Sequence, residues 1–134
     1  MRIHIHLISL LPLLASAPAG AELLADYAAV ARQENPAFQA FSPERGRQFF
    51  QARQGRNAGT ESCTSCHTAD PRAEGRHART NKLILPLAPA ANPERLTDPA
   101  KVEKWFKRNC NDVLSRACTA QEKGDVIAYL RTVR

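Results

Sequence analysis

The chain has 134 residues, 43% of them hydrophobic, and a formal net charge of +6 at pH 7. This length predicts one small domain and leaves little room for a second core. The basic residues are spread along the chain instead of forming one block, which argues against nucleic-acid binding and leaves a solvated basic surface or steering towards an acidic redox partner.

The N-terminus has the pattern of a secretory signal peptide. Arg2 precedes an apolar run from Ile3 to Leu14, which is followed by small residues up to Ala21. The run is shorter than the ~20 residues that span a bilayer, which favours a cleaved signal over an uncleaved anchor. We therefore predict a signal peptide over residues 1–21, cleavage after Ala21, and one exported domain over residues 22–134.

The first predicted element of the exported domain is a short N-terminal helix. Apolar residues from Leu23 to Ala31 keep a helical period, which stops at Asn35 and Pro36. This helix belongs to a short extension over residues 22–41 that adds no motif.

A second helix begins at Ser42. The Ser42 hydroxyl can cap free amides, Pro43 suits a first turn, and Glu44 faces the positive end of the helix dipole. This helix is predicted to run to about Arg53, and a loop over residues 54–60 follows.

The segment from Thr68 to Asp98 is predicted to be a long, stiff loop, with one apolar run from Leu83 to Leu87. Its prolines are Pro71, Pro86, Pro89 and Pro93. A loop of this length in a compact domain is typical of a segment that wraps a ligand. We therefore expect the stretch from Leu83 to Ala90 to line a cofactor.

Two more helices are predicted in the C-terminal third. One begins at residues 97–99 and ends near Asn109 or Asn111. Its expected apolar face includes Val102, Trp105 and Phe106. Thr119 and Glu122 form a capping box that opens a last helix. Strand signals are absent, so the predicted fold class is all-α.

The chemistry of the sequence is concentrated in one Cys-x-x-Cys-His motif, formed by Cys63, Cys66 and His67. Two thiols at this spacing can add to the two vinyl groups of haem, while the next residue turns its imidazole onto the iron. A redox dithiol would need a βαβ setting, and a zinc site would need Cys110 and Cys118 as a second ligand pair. We predict one covalent haem c with His67 as the proximal iron ligand.

At this motif the chain resembles the class I cytochromes c. In that family a glycine on the helix before the motif lets the last helix cross closely, with aromatic side chains packed at the crossing. Gly46 and Tyr129 match those roles, and Phe50 follows Gly46 on the same helix. The resemblance implies helices wrapped around one haem.

The second iron ligand cannot be methionine, because Met1 is the chain's one methionine and leaves with the predicted signal peptide. His77, or a lysine such as Lys82, would be the second ligand of a closed, low-spin electron carrier.

The C-terminal third resembles the SHP family of oxygen-binding, asparagine-ligated cytochromes c. The resemblance runs from about Ser42 to the end and is most specific between Lys104 and Thr119, with His77 to Thr80 and Pro86 to Pro89 also matching. In that family an asparagine just before a disulfide cysteine contacts the iron and swings away when a small ligand arrives. Asn109 is the matching position.

Two alternatives stay open for this region. Asn109 could merely cap the C-terminal end of its helix, and Asn111 is close enough to be confused with it.

Cys110 and Cys118 remain after haem attachment as an even pair in an exported protein, which predicts a disulfide.

These observations predict a bacterial, periplasmic monohaem cytochrome that binds O₂, NO or CO at the iron and accepts or donates electrons. The resemblance implies a dihaem cytochrome c as redox partner and a membrane cytochrome only indirectly. A small haem oxidase or peroxidase is a further alternative, but such an enzyme needs a distal proton donor. Arg79, Arg95 and Arg108 are expected to be solvated instead.

Overall fold

The computed structural model describes residues 19–134, with side chains described from residue 22 onward. The elements are α1 (Ala19–Glu34), α2 (Pro43–Gln51), α3 (Thr64–His67), β1 (Gly75–Arg76), β2 (Leu83–Ile84), α4 (Pro99–Leu114) and α5 (Ala120–Thr132). Residues 1–18 of the predicted signal peptide lie outside the described residues. In the described part, none of the helices has the length and apolarity needed to cross a bilayer.

The structure confirms the predicted all-α fold class and the helix starts. The Ser42 hydroxyl accepts a hydrogen bond from the Arg45 amide at 3.2 Å, as expected of an N-cap. The capping box between Thr119 and Glu122 is present at the start of α5. Helix α2 ends at Gln51, slightly earlier than predicted.

The predicted end of α4 near Asn109 or Asn111 is wrong. Helix α4 continues to Leu114 and ends where Ser115 adopts a positive φ of 57°. Asparagine disfavours a helix interior only weakly, and here the half-buried Val113 extends the packed side of the helix for another turn.

The predicted apolar face of α4 is also corrected. Val102 and Phe106 pack against the hydrophobic core, whereas Trp105 is 41% exposed. Trp105 lies about 60° around the helix axis from Val102, so its side chain lies at the edge of the packed face and not in the core.

The structure contains one small β-hairpin that the sequence pattern did not predict. Gly75 pairs with Ile84 and Arg76 with Leu83 in an antiparallel ladder. Strands of two residues are too short to show alternating hydrophobicity, so the sequence pattern could not reveal them.

The crossing of α2 and α5 is confirmed and is very close. A Cβ atom on Gly46 would collide with the backbone carbonyl of Asp125. The rings of Phe50 and Tyr129 lie 5.8 Å apart beside this crossing. The buried Asp125 carboxylate accepts hydrogen bonds from the Ser42 amide and the Arg45 guanidinium at 2.6–3.0 Å, so its charge is satisfied.

Helix α1 packs on α5 and is tied to α4 by a polar cluster. Leu23, Tyr27 and Ala31 form its buried stripe. The Tyr27 hydroxyl donates to the Glu103 carboxylate at 2.8 Å, and the Lys123 ammonium donates to the same carboxylate at 2.7 Å. The N-terminal extension is therefore part of the folded domain.

We predict that Gly46→Ala lowers the free energy of unfolding by about 2–3 kcal/mol, because the added methyl group meets backbone that cannot rotate away. Helix propensity alone would change it by about 1 kcal/mol in the opposite direction. Urea denaturation measures the difference, with Gln51→Ala on the exposed side of α2 as control. An unchanged or increased stability of Gly46→Ala would contradict the close crossing.

We predict that Tyr27→Phe costs about 1–2 kcal/mol at pH 7, because the variant loses the hydrogen bond to Glu103. Burial, reinforced by that bond, raises the pKa of Tyr27 above its usual value of 10.0. A raised pKa in the folded state gives stability that is present below pH 10 and is lost as the pH rises further.

Urea denaturation at pH 8 and pH 11 tests whether titration of Tyr27 lowers the stability at high pH. The loss of stability on raising the pH should be smaller in Tyr27→Phe than in the wild type. Tyr129→Phe is the control at pH 7, since no hydrogen bond from the Tyr129 hydroxyl is found within residues 19–134. Equal losses in wild type and Tyr27→Phe would show that Tyr27 does not titrate as described.

Candidate functional site

The Cys-x-x-Cys-His motif forms one helical turn. The backbone amides of Cys66 and His67 both donate to the Cys63 carbonyl, at 3.2 and 3.1 Å. Thr68 ends the turn with a positive φ of 61°. The turn holds both thiols and the imidazole on a single short element, as attachment of one planar cofactor requires.

His67 is half-buried beside α2, with its ring 6.4 Å from the Phe50 ring. Burial lowers the pKa of His67 to about 4, and the positive charge of Arg95 and the nearby His77 act in the same direction. A neutral imidazole keeps a nitrogen lone pair available for a metal.

The described strands form one antiparallel hairpin and not the βαβ setting that is typical of a disulfide oxidoreductase. Burial raises the pKa of the Cys63 thiol to about 11, whereas a redox-active thiol needs a lowered pKa. Cys110 and Cys118 form a disulfide with a Cα–Cα distance of 5.7 Å. The zinc alternative thereby loses two of its four ligands, and no metal-binding group of His, Cys, Asp and Glu occurs in the described residues.

The β1–β2 hairpin lies directly against the motif. A Cβ on Gly75 would collide with the Cys66 carbonyl, so only glycine permits this approach. At the hairpin tip, the Ala78 amide donates to the Cys66 sulfur at 3.3 Å. The hairpin therefore forms one side of the site.

The proline-rich segment from Leu83 to Ala90 also reaches the motif. The amides of Leu87 and Ala88 donate to the Pro71 carbonyl at 2.8 and 3.0 Å. Leu87 packs with Cys63 and Phe50 in the second hydrophobic cluster. We refer to residues 83–90 as the strap.

Arg95 corrects an expectation, because it is half-buried and not solvated. Its guanidinium donates to the strap carbonyls of Pro86 and Leu85 at 2.8 and 2.7 Å. Both acceptors are neutral, and no carboxylate within residues 19–134 forms an ion pair with this cation. Burial lowers the pKa of Arg95, which is the electrostatic cost of a desolvated charge without an anionic partner.

The other two arginines of the same expectation are exposed but have partners. Arg79 forms an ion pair with Asp112 on α4 at 3.2 Å, and the Arg108 guanidinium lies 5.6 Å from the Trp105 ring centre.

The C-terminal half of α4 passes both loops that flank the motif. The Asp112–Arg79 ion pair ties it to the hairpin tip after the motif. A Cβ on Gly55, in the loop before the motif, would lie 2.8 Å from the Val113 carbonyl. Asn109 is therefore on a helix segment placed beside the motif.

Asn109 is a half-buried residue, and its side chain makes no hydrogen bond in the described part of the chain. It lies in the interior of α4, so the alternative that it caps the helix end is wrong. Asn111 is exposed, and its backbone carbonyl accepts from the Ser115 amide at the helix end.

His77 is held in the hairpin tip. Its Nδ1 atom accepts hydrogen bonds from the amides of Arg79 and Thr80 at 3.3 and 3.2 Å. The Nδ1 nitrogen of His77 is therefore engaged by the backbone of the hairpin tip in this arrangement.

Large apolar side chains are exposed on the strap and on α4. Leu83 and Leu85 on the strap are 51% and 53% exposed, and Trp105 on α4 is 41% exposed. Exposed apolar surface of this kind is available for contact with a ligand or partner where it is contiguous. Two thiols, a neutral imidazole, a cation with no ion-pair partner among residues 19–134 and exposed apolar side chains on the strap together fit a flat, apolar, doubly acidic group such as haem.

Sequence reasoning missed two residues that support the site. Asp125 fixes the crossing under Phe50, and Arg95 holds the strap. A signal for Arg95 exists, since Pro86 and Pro89 have no amide hydrogen and side-chain donors must satisfy more of the strap's carbonyls.

Comparison with known proteins gives consistent relatives. Residues 36–130 match the model of a family described as a domain of unknown function, DUF1924. The chain is 48% identical over 120 residues to the cytochrome c-type protein SHP of Cereibacter sphaeroides, covering 89% of this chain and 88% of that protein. It is 41% identical over 112 residues to cytochrome c'' of Methylophilus methylotrophus, covering 83% and 78% of the two chains.

Solved structures of both relatives share the fold. The structure of oxidised SHP, described as an oxygen-binding cytochrome c, superposes with a TM-score of 0.74 at 45% identity and covers 84% of this chain and 96% of its own. A crystal structure of oxidised cytochrome c'' gives a TM-score of 0.77 at 39% identity, covering 87% and 95%. A solution structure of the same cytochrome c'' is described in terms of haem-ligand detachment, with a TM-score of 0.73 at 40% identity, covering 84% and 92%.

We predict that replacing Cys110 and Cys118 together with alanine lowers the free energy of unfolding by about 2–3 kcal/mol, because the unfolded chain is no longer restricted by the bond. Urea denaturation of both proteins measures the difference, and reduction of the wild type should give the same loss. Thiol titration of the unfolded, unreduced holoprotein is the direct control. Two titratable thiols there would contradict the disulfide.

Proposed function

This chain belongs to the family of haem c cytochromes that contains SHP and cytochrome c'', and we propose from that premise that Cys63, Cys66 and His67 hold its single haem. The turn formed by Cys63 and helix α3 supports this assignment, since it carries both thiols and a half-buried imidazole with a lowered pKa. The exposed apolar side chains of the strap and of α4 would cover the faces and edge of the group.

Arg95 is the residue that would hold an acidic substituent of the haem. Among residues 19–134 this half-buried cation donates only to neutral carbonyls of the strap, at 2.7 and 2.8 Å. A carboxylate beside it would supply the missing counter-charge and form a charge-assisted hydrogen bond. The haem propionates are such carboxylates, so Arg95 would tie the strap and the cofactor together.

Asn109 is the second residue that we assign to the iron, as a displaceable ligand. The observation that carries this proposal is its half-buried side chain, which lacks a hydrogen-bond partner in the described residues and lies on the segment of α4 beside the motif. An amide oxygen is a weak ligand, so it can occupy a resting site and still yield to a small molecule. The bound haem would supply reversible one-electron chemistry and the binding of O₂, NO or CO.

The descriptions of both relatives agree with this function. One is described as an oxygen-binding cytochrome c and the other in terms of haem-ligand detachment. A site that releases one ligand to admit another unites the two descriptions, and in this chain Asn109 would be the ligand that leaves.

The cellular setting follows from the same proposal. Export of the chain to the bacterial periplasm agrees with the disulfide, because such bonds persist in oxidising compartments. The exposed Lys101, Lys104 and Lys107 on α4 would favour an acidic redox partner, which we propose to be a dihaem cytochrome c. A membrane cytochrome would be reached only through that partner.

We predict that the ferrous protein is high-spin and that its visible spectrum shifts with CO and with O₂. Asn109→Ala should bind CO at least tenfold faster in stopped-flow measurements, because no ligand has to leave first. Asn111→Ala, two residues away on the exposed side of α4, is the matched control and should bind CO at the wild-type rate.

A low-spin ferrous spectrum that CO does not change would overturn the gas-binding site. The protein would then be a closed electron carrier, with His77 or Lys82 as the residue to replace next. Equal CO association rates in wild type and Asn109→Ala would show that Asn109 does not bind the iron.

A further inference from the structure

We propose that the Arg79–Asp112 ion pair is a latch that holds the Asn109 turn of α4 beside the haem-attachment motif and so sets how fast a gas reaches the iron. The inference rests on the proposed displaceable Asn109 and makes Arg79 and Asp112 positioning residues. Neither of them needs to touch the cofactor.

The hairpin tip that carries Arg79 is held in place by hydrogen bonds. The hairpin tip is closed by the hydrogen bond from the His77 amide to the Lys82 carbonyl at 2.9 Å and by the two bonds to His77 Nδ1. The tip is joined to the motif by the Ala78 amide, which donates to the Cys66 sulfur at 3.3 Å. A side chain on this tip is therefore held in a fixed position relative to the motif.

The Asp112 side of the latch shares a helix face with Asn109. Residues three apart on a helix are neighbours, so Asp112 follows Asn109 on that face and Trp105 precedes it by about one turn. Holding the Asp112 carboxylate on the hairpin fixes the rotation of this turn about the helix axis. The Cys110–Cys118 disulfide restrains the same turn from the core side, which leaves the ion pair as the restraint that can open.

The Arg79–Asp112 ion pair is weak enough to break and re-form frequently. Its N–O distance is 3.2 Å, and the side chains of Arg79 and Asp112 are 66% and 27% exposed. Ion pairs this exposed are weak and are screened by salt. Opening the pair should therefore change the gas-association rate by about two- to fivefold, not by orders of magnitude.

The salt dependence of the CO association rate tests the ion pair directly, because CO itself carries no charge. Salt cannot alter the encounter of an uncharged gas with the protein by steering, so a salt-dependent association rate reports a change within the protein. We expect the CO association rate of the ferrous wild-type holoprotein to rise about two- to fivefold between 0.05 and 0.5 M NaCl, an estimate from the weakness of such pairs.

The variants then identify the pair. Asp112→Asn keeps the side-chain shape, and both it and Arg79→Gln should bind CO at the fast rate at every salt concentration, with a larger high-spin fraction in the resting ferric spectrum. The double variant should equal either single one, since only one interaction is lost. Asp70→Asn, which breaks the comparably exposed Arg72–Asp70 pair away from α4, should keep the wild-type salt response.

The outcomes separate the latch from the function on which it rests. If Asn109→Ala binds CO faster but Asp112→Asn keeps the wild-type rate and salt response, the latch is wrong and the displaceable ligand stands. If Asn109→Ala also leaves the rate unchanged, both proposals fail. A salt response that persists in the double variant would likewise overturn the latch.

Discussion

The close crossing of α2 and α5 is the constraint on which the rest of the structure depends. Gly46 lets the two backbones meet, and the buried Asp125 carboxylate fixes the start of α2 at the same point. Phe50 then lies between Tyr129, 5.8 Å away, and His67, 6.4 Å away. The position of the His67 imidazole, the proposed iron ligand, is thus set by a helix contact that the lack of a single Cβ atom permits. A larger residue at Gly46 would disturb the site without touching it.

Helix α4 provides the side of the site on which the proposed displaceable ligand lies. Its core stripe, with Val102 and Phe106, anchors the helix in the interior, whereas the neighbouring stripe carries Trp105, Asn109 and Asp112. One side of the helix is fixed by packing and a disulfide, and the other is held by an exposed ion pair. On such a helix the proposed Asn109 ligand would leave and return with small changes in the helix, as the proposed reversible gas binding requires.

Much of this arrangement could be predicted from the sequence, and the exceptions have physical reasons. The motif, the capping residues and the role of Gly46 each depend on local spacing or on one residue type, so they were readable. The end of α4 and the exposure of Trp105 depend on what packs against the helix, which local propensity does not encode. Arg95 was expected at the surface because its acceptors are strap carbonyls that only the fold brings within reach.

The most direct test of the account is a crystal structure of the ferric holoprotein. The account predicts thioether bonds from Cys63 and Cys66 to a single haem, His67 on one face of the iron and the Asn109 side-chain oxygen on the other. A nitrogen of His77 or Lys82 in the second axial position would contradict it and identify the protein as a closed electron carrier.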